Sequence, residues 1–328
     1  MEETFIIGKC EDMCPMKEVK LREREKLLHR LEMGPNLLPV KEFQRSAAGK
    51  QQDSSMTIRP PDILQQTITY LFNNILSSDG SLDTYNFVEN RLRSVRQDLF
   101  KQQCSGHIVL PILEPIIRFY AWATYWYSET PGFQSYLNDI QLLECLKACL
   151  RVADESNEMP SSDIEALYLL MNLGNIHPLL RSFSLPKKRR SPLLLKSEKL
   201  SLDWHMGNYV RVCGKIKELP VLLAALISAK HFPTIRRHAL STMAVAYNSR
   251  TLVVPLSLLI SIGLFEDEKE AEEHCHYYGL QIRESSISFQ RASFNHSIKE
   301  ALFKRPEWIS CKLHLALLPD LFLNGNDC

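Results

Sequence analysis

Long apolar runs, a paired-cysteine framework and an excess of charge of either sign are all missing from this chain, and each absence removes a class of protein. No uninterrupted apolar stretch approaches the ~20 residues that cross a bilayer. Even the segment from Leu252 to Phe265 is broken by Pro255, Ser257, Ser261 and Gly263. The start, Met1-Glu2-Glu3, is acidic, and the short apolar run Phe5-Ile6-Ile7 is followed by Gly8, Lys9 and the acidic pair Glu11-Asp12, so no secretory leader is expected. Nine cysteines in 328 residues, most of them scattered, do not read as a disulfide framework. Reduced thiols in cytosol or nucleus are expected, and no membrane partner. Lys plus Arg number 39 against 38 Asp plus Glu, so any nucleic-acid contact has to come from local patches, not from the net charge. There is no nucleophile elbow, phosphate loop or Walker pattern. No catalytic residue, cofactor, metal or small-molecule substrate is therefore expected.

What is present is ordinary globular composition, with 45% hydrophobic and 23% charged residues. The length suggests about two domains, and the pattern divides into three parts: 1–61, a motif, a charged helix and a linker; 62–231, a helical body; and 232–328, a terminal module with a tail. Pro15 stands where helices begin and Gly34-Pro35 where they stop, which predicts one charged helix over 16–33. The polar stretch 49–61, ending in Pro60-Pro61, reads as a linker.

From Asp62 the period is helical. Leu64, Ile68, Leu71 and Ile75 share one face, and Val88, Leu92, Val95 and Leu99 repeat the pattern in a second helix. Residues 108–127 are apolar nearly all round, as in a helix buried among others, with Pro111 and Pro115 in its first turn or at a kink. Further helices are predicted over 134–153, 161–173 and about 200–228. No fixed-length repeat is present, and the sum is a solenoid-like stack of helical hairpins.

Between 174 and 199 the pattern lapses into a loop holding Pro186-Lys187-Lys188-Arg189-Arg190-Ser191-Pro192. Four consecutive cations between prolines suit an extended, exposed peptide of the kind a nuclear-import receptor reads; a solvated loop is the other reading. After about Phe232 the pattern changes. Helices are predicted over 234–247, 255–265 and 266–279, followed by a two-stranded ribbon, 281–283 with 287–291, turning at Glu284-Ser285-Ser286. Three short helices and a hairpin describe a winged helix, so the expected fold class is mainly all-α, a helical-hairpin solenoid closed by a winged helix.

Cys10 and Cys14 lie four apart and would share a helix face, but no second ligand pair follows, and buried structural thiols are expected over a zinc site. In the run His274-Cys275-His276, neighbouring side chains of a helix diverge by about 100°, which favours packing over metal binding. Cys145 and Cys149 share a face with Leu142 and Leu146 and read as core. Arg91, Arg93 and Arg96, with Glu89 and Asp98 nearby, read as an internal ion-pair network. The candidate phosphate contacts are Arg236, Arg237, Arg250, Arg283 and Arg291, with Lys304 and Arg305 beside them. Against that stands the third helix of the module, crowded by Glu266, Asp267, Glu268, Glu270, Glu272 and Glu273, where a DNA reader is normally basic. Protein docking is the expected use of this module.

A set of short stretches stands in a fixed order along the chain. They are Cys10-Glu11-Asp12-Met13-Cys14-Pro15, Lys41-Glu42-Phe43-Gln44-Arg45-Ser46-Ala47-Ala48, Ile58-Arg59-Pro60, Tyr85-Asn86-Phe87-Val88 with Arg91, Arg93, Arg96, Gln97 and Asp98, Gly207-Asn208-Tyr209, Arg236-Arg237-His238-Ala239-Leu240, and Cys275 with Tyr278-Gly279-Leu280. Together they resemble the germinal-centre-associated nuclear protein (GANP) and suppressor-of-actin family. The resemblance implies a solenoid and winged helix akin to the PCI domains of the proteasome lid and of initiation-factor scaffolds. It implies a non-enzymatic scaffold of a second transcription-and-export complex, pairing with a PCI-domain protein and a small acidic DSS-type peptide, and coupling transcription to mRNA export at nuclear pores. Other short members are linked to centrosomes and spindles, so a centrosome or spindle adaptor is the alternative; an enzyme using Cys10, Cys14 or Cys275 is the third reading. The chain begins almost at the first motif and ends at Cys328, without the Phe-Gly-rich region and the long helix that binds centrin in long members. Neither centrin binding nor direct pore anchoring is expected.

Overall fold

The computed structural model describes residues 6–45 and 54–325. Among them the chain is mainly helical, α1 to α14, with one small antiparallel sheet. The described residues divide into two compact units: those up to Phe119 with Glu144–Ser161 and those from Leu317, and Tyr120–Leu143 with Ser162–Ala316.

In the first unit, α1 (Met16–Arg24) is shorter than predicted. The chain leaves the helix where Lys26 takes a left-handed φ of 56°, and a 3₁₀ turn, Arg30–Glu32, follows. The reason is Glu32, whose carboxylate is pulled into the interior. It accepts the Val40 N–H at 2.9 Å and the His29 N–H at 3.1 Å, and it binds Arg22 and, at 3.3 Å, Arg91. A straight helix through Met33 could not make these contacts. Burial alone would push the Glu32 carboxyl up, but Arg91, the two N–H groups and Arg22 outweigh it and hold it below the usual range.

The segment read as a linker is structural where it is described. Ile58 and Arg59 are fully buried, and the Lys9 and Cys10 N–H groups donate to Ser55 O and Ile58 O at 2.8 and 3.0 Å. Gly8 is required there, because a Cβ would stand 2.7 Å from Ile58 O. Next come α2 (Pro61–Tyr70), a π-helical turn at Leu71–Leu76, and α3 (Leu82–Lys101), whose inner face carries Val88, Leu92, Val95 and Leu99 as predicted. Helix α4 (Gly106–Trp126) keeps Pro111 and Pro115 inside one continuous helix, deeper than a first turn. The core of this unit is aromatic. Phe72 stacks on Phe119 at 5.8 Å and meets Phe322 of α14 (Leu318–Leu323) edge-on at 5.0 Å.

Helix α5 (Ser135–Ser156) contributes residues to both units, and Cys145 and Cys149 are fully buried along it. The second unit continues with α6 (Ser162–Met171), α7 (Ile176–Ser184), α8 (Pro192–His205), α9 (Tyr209–Ile216) and α10 (Val221–Ala246). The stretch 174–199 is thus not an extended loop. Asn175 caps α7 and Ser191 caps α8 through their side chains, and the cations between form a 3₁₀ turn, Lys187–Arg189. Arg189 is bound to Glu165, and Arg190 donates to Glu198 Oε2 at 2.7 Å. Burying those two carboxylates requires partners, and the arginines supply them. Lys187 and Lys188 remain exposed. The residue pair 231/232, where the pattern changes, lies inside α10, which runs through Pro233 unbroken.

The remainder of this unit is β1 (Val254–Pro255), α11 (Leu256–Gly263), α12 (Glu268–Tyr277), β2 (Gln281–Arg283), β3 (Ser286–Ser288) and α13 (Glu307–Leu315). The sheet order is β1-β3-β2, with Ile282 opposite Ile287 and Val254 opposite Ile287. The hairpin turns at Glu284-Ser285, both left-handed with φ of 48° and 56°, the conformation a two-residue hairpin of right-handed twist needs. The predicted ribbon is correct in place; β1 was not foreseen, because two residues are too short to show a period.

Candidate docking surface of the C-terminal module

The second half of α10 with β1, α11, α12 and the hairpin encloses its own core, in which Leu240, Met243, Leu256, Leu259, Cys275 and Ile287 are all buried. Apolar spacing on the three helices produces this packing, since each buries one face and leaves the other to solvent.

Arg236 belongs to this core and not to its surface. It is 3% exposed. Its Nη1 donates to Glu270 Oε1 at 2.7 Å, Nε donates to Gly263 O at 3.1 Å, and Nη2 binds Leu264 O. The guanidinium also lies 4.2 Å from the centre of the Phe265 ring. Gly263 and Leu264 end α11, Leu264 in the left-handed region, so Arg236 satisfies carbonyls that a helix C-terminus leaves open. Burial pushes its pKa down, against the pull of Glu270. It is removed from the candidate phosphate contacts, because reaching phosphate would strand Glu270 and two carbonyls in the interior. Glu270 in turn accepts the Glu266 N–H at 2.8 Å.

Arg237 is half-buried and donates to His296 O at 2.7 Å. The other three arginines are exposed but are not one patch. Arg250 and Arg291 fall at the same corner, where Ser249 N–H donates to Phe289 O at 3.3 Å and Arg291 N–H to Asn248 Oδ1 at 3.1 Å. Arg283 stands at the turn end of the hairpin, opposite Ser286. Lys304 pairs with Glu273 at 2.6 Å, and Arg305 pairs with Glu129 at 3.2 Å.

The module also exposes apolar side chains. Leu252 and Val253 are 46% and 57% exposed and lead into β1, which is an edge strand. Val245 and Tyr247 end α10 nearby in sequence, and Leu258 lies on the outer face of α11, all exposed. Glu266 and Asp267 before α12, and Glu268, Lys269 and Glu273 on it, are exposed to solvent. An edge strand flanked by aliphatic side chains, beside an acidic helix, suits another polypeptide better than a phosphate backbone.

The thiols are placed as structure. Cys10 and Cys14 are 5% and 3% exposed, and burial pushes the Cys14 thiol up to about 12 and raises that of Cys10. Cys275 is fully buried with its thiol pushed up to about 12, and His274 Nδ1 sits 3.0 Å from Glu270 O while His276 is exposed. No group of three or more His, Cys, Asp or Glu among the described residues is arranged to hold a metal ion, and none of their helices is long and apolar enough to cross a membrane. No local signal marks Glu32 and Glu270 as buried anchors, and Asp98, expected in an ion-pair network with the arginines of its own helix, instead answers Lys41 and Arg59.

A model of the SAC3/GANP family matches residues 13–284. The chain is similar to SAC3 family protein 1 of Schizosaccharomyces pombe, 27% identical over 91% of this chain and 33% of that protein. It is 24% identical to SAC3 family protein B of Arabidopsis thaliana over 97% of this chain and 20% of that protein, and 26% identical to the Drosophila melanogaster protein xmas over 85% and 15%. The chain spans a third or less of the length of each of these relatives.

Proposed function

The chain belongs to the SAC3/GANP family, and from that premise we propose that it is a non-enzymatic scaffold of mRNA export that pairs with a PCI-domain protein through its C-terminal module. In this reading the module is a winged helix used for protein docking. The complex is of the second transcription-and-export type, nuclear and able to work at the pore, and includes a small acidic DSS-type peptide. The observation that carries the reading is the exposed Leu252-Val253 pair that leads into the edge strand β1, together with the inward turn of Arg236. Arg236 is spent on the module's own interior, and apolar side chains stand exposed beside its edge strand.

RNA or DNA contact falls to Arg250, Arg291 and Arg283, as a salt-sensitive and sequence-tolerant addition. Nuclear entry does not use Lys187–Arg190 as an extended peptide while that turn is folded. Nothing in the geometry favours a centrosome or spindle adaptor over the export scaffold.

The test is purification of the tagged chain from nuclear extract, with and without nuclease, followed by mass spectrometry. A PCI-domain protein retained after nuclease and lost in Val253→Asp is the expected result. Retention of centrosomal proteins alone, or a PCI partner unaffected by Val253→Asp and by Leu252→Asp, overturns the proposed pairing.

A further inference from the structure

Helices α7 and α8 carry a face that the proposed pairing does not use. Between Glu165 and Glu218 the sequence has ten Lys and Arg but only two acids, Glu198 and Asp203. Both acids are 3% exposed. Glu198 is held by Arg190, and Asp203 is paired with Lys215 and lies 3.9 Å from Arg211 Nη1. Between those limits the exposed Lys, Arg, Asp and Glu are therefore all cations: Lys187, Lys188, Lys196, Lys199, Arg211 and Lys217.

Apolar side chains are set among them. On α7, Ile176, Leu180 and Phe183 are 44%, 54% and 42% exposed and recur at i, i+4 and i+7 on one face, while Leu179 turns inward with Leu169 and Leu194. On α8 and its cap, Leu195, Leu202 and Met206 recur at i, i+7 and i+11 and are also exposed. The two helices run antiparallel. The turn at 185–191 joins one end of the pair, and at the other end a Cβ on Gly174 would stand 3.0 Å from Trp204 Nε1.

We propose that this α7–α8 face docks an acidic amphipathic helix of a partner protein. The partner's apolar side chains lie on the two stripes, and its carboxylates lie among Lys187, Lys196, Lys199 and Arg211. The stripes alone would accept any apolar ridge, and the lysines alone would suit phosphate. Their combination selects a polypeptide, because a nucleic-acid backbone has no aliphatic ridge to bury on Leu180 and Leu202, and base stacking needs more aromatic surface than Phe183 provides. The lack of exposed carboxylates between residues 166 and 217 supplies the sign of the partner. This face is separate from the β1 edge, so its failure leaves the PCI pairing untouched.

The test uses the full chain and a fluorescein-labelled 21-residue peptide, with leucines at i, i+4 and i+7 and glutamates at most other positions, read by anisotropy. Comparison probes are a peptide of the same composition with its leucines spread round the helix, a 20-nucleotide oligouridine, and vesicles containing phosphatidylserine. Saturable binding of the patterned peptide is expected, weakened about tenfold or more by Phe183→Glu and by Lys196→Glu with Lys199→Glu, and weakened by salt. Circular dichroism checks that each variant stays folded, and Leu180→Ser replaces any that does not. Absence of saturable binding, equal binding of the rearranged peptide, or preference for oligouridine or vesicles with the same sensitivity to these variants overturns the proposal.

Discussion

Arg59 and Asp98 form an ion pair with both side chains fully withdrawn from water, Nε to Oδ2 at 2.8 Å. The pair ties the stretch before α2 to the middle of α3. Asp98 also accepts from Lys41 Nζ at 2.6 Å, and Arg59 also reaches Ser94 Oγ at 2.9 Å and Met13 O at 3.2 Å. Three of the stretches that carry the family resemblance therefore meet at one carboxylate, and both cations, Lys41 and Arg59, depend on the same anion.

Removing that anion leaves two buried cations without a partner. Asp98→Ala is expected to cost about 3–5 kcal/mol, the usual cost of breaking a buried pair from one side, read as a lowered denaturation midpoint at unchanged slope. A loss below about 1 kcal/mol would mean that water reaches Arg59 and that the opening stretch is not clamped.

Arg236 and Arg291 should separate cleanly. Arg236→Glu sets a carboxylate against Glu270 inside the core, so a loss of several kcal/mol in stability is expected. Arg250→Glu with Arg291→Glu should leave the melting temperature within a degree or two and reduce any RNA affinity and its salt slope. If Arg236→Glu is folded and specifically defective in RNA binding, its burial is not what governs it.

His231 gives the chain a pH dependence of known sign. Its ring nitrogen Nε2 sits 2.9 Å from Leu170 O, and burial pushes its pKa from 6.5 down to about 4. Above pH 6.5 the ring is neutral in folded and unfolded chains alike. As pH falls from 6.5 toward 4, only the unfolded chain takes up the proton, so stability is lost across that window, by about 3 kcal/mol at 1.36 kcal/mol per unit. His231→Gln should flatten this part of the profile in urea titrations at pH 7, 6 and 5. An unchanged profile would assign the loss to other groups, such as His274, which burial also lowers.

Much of this was readable beforehand. Helix faces such as Val88-Leu92-Val95-Leu99 announce themselves because one spacing serves both the local backbone and the core. The thiols at Cys145 and Cys149 could be assigned to packing for the same reason, and those at Cys10 and Cys14 because no second ligand pair follows them. Less was readable where a charge decides the outcome. Residues 187–190 look like an exposed basic peptide until Glu165 and Glu198 are found beneath Arg189 and Arg190. The helix predicted to Met33 stops at Arg24 because Glu32 is needed elsewhere.

The sequence by itself determined the helical class, the positions of most helices, the hairpin at Glu284-Ser285 and the family. All of these follow from local periodicity, turn chemistry and ordered short stretches. Only the tertiary structure decided which cations are structural. A guanidinium is equally polar at Arg236 and at Arg291, and what separates them is whether a carboxylate distant in sequence lies within about 3 Å in a space without water. No local pattern records that distance.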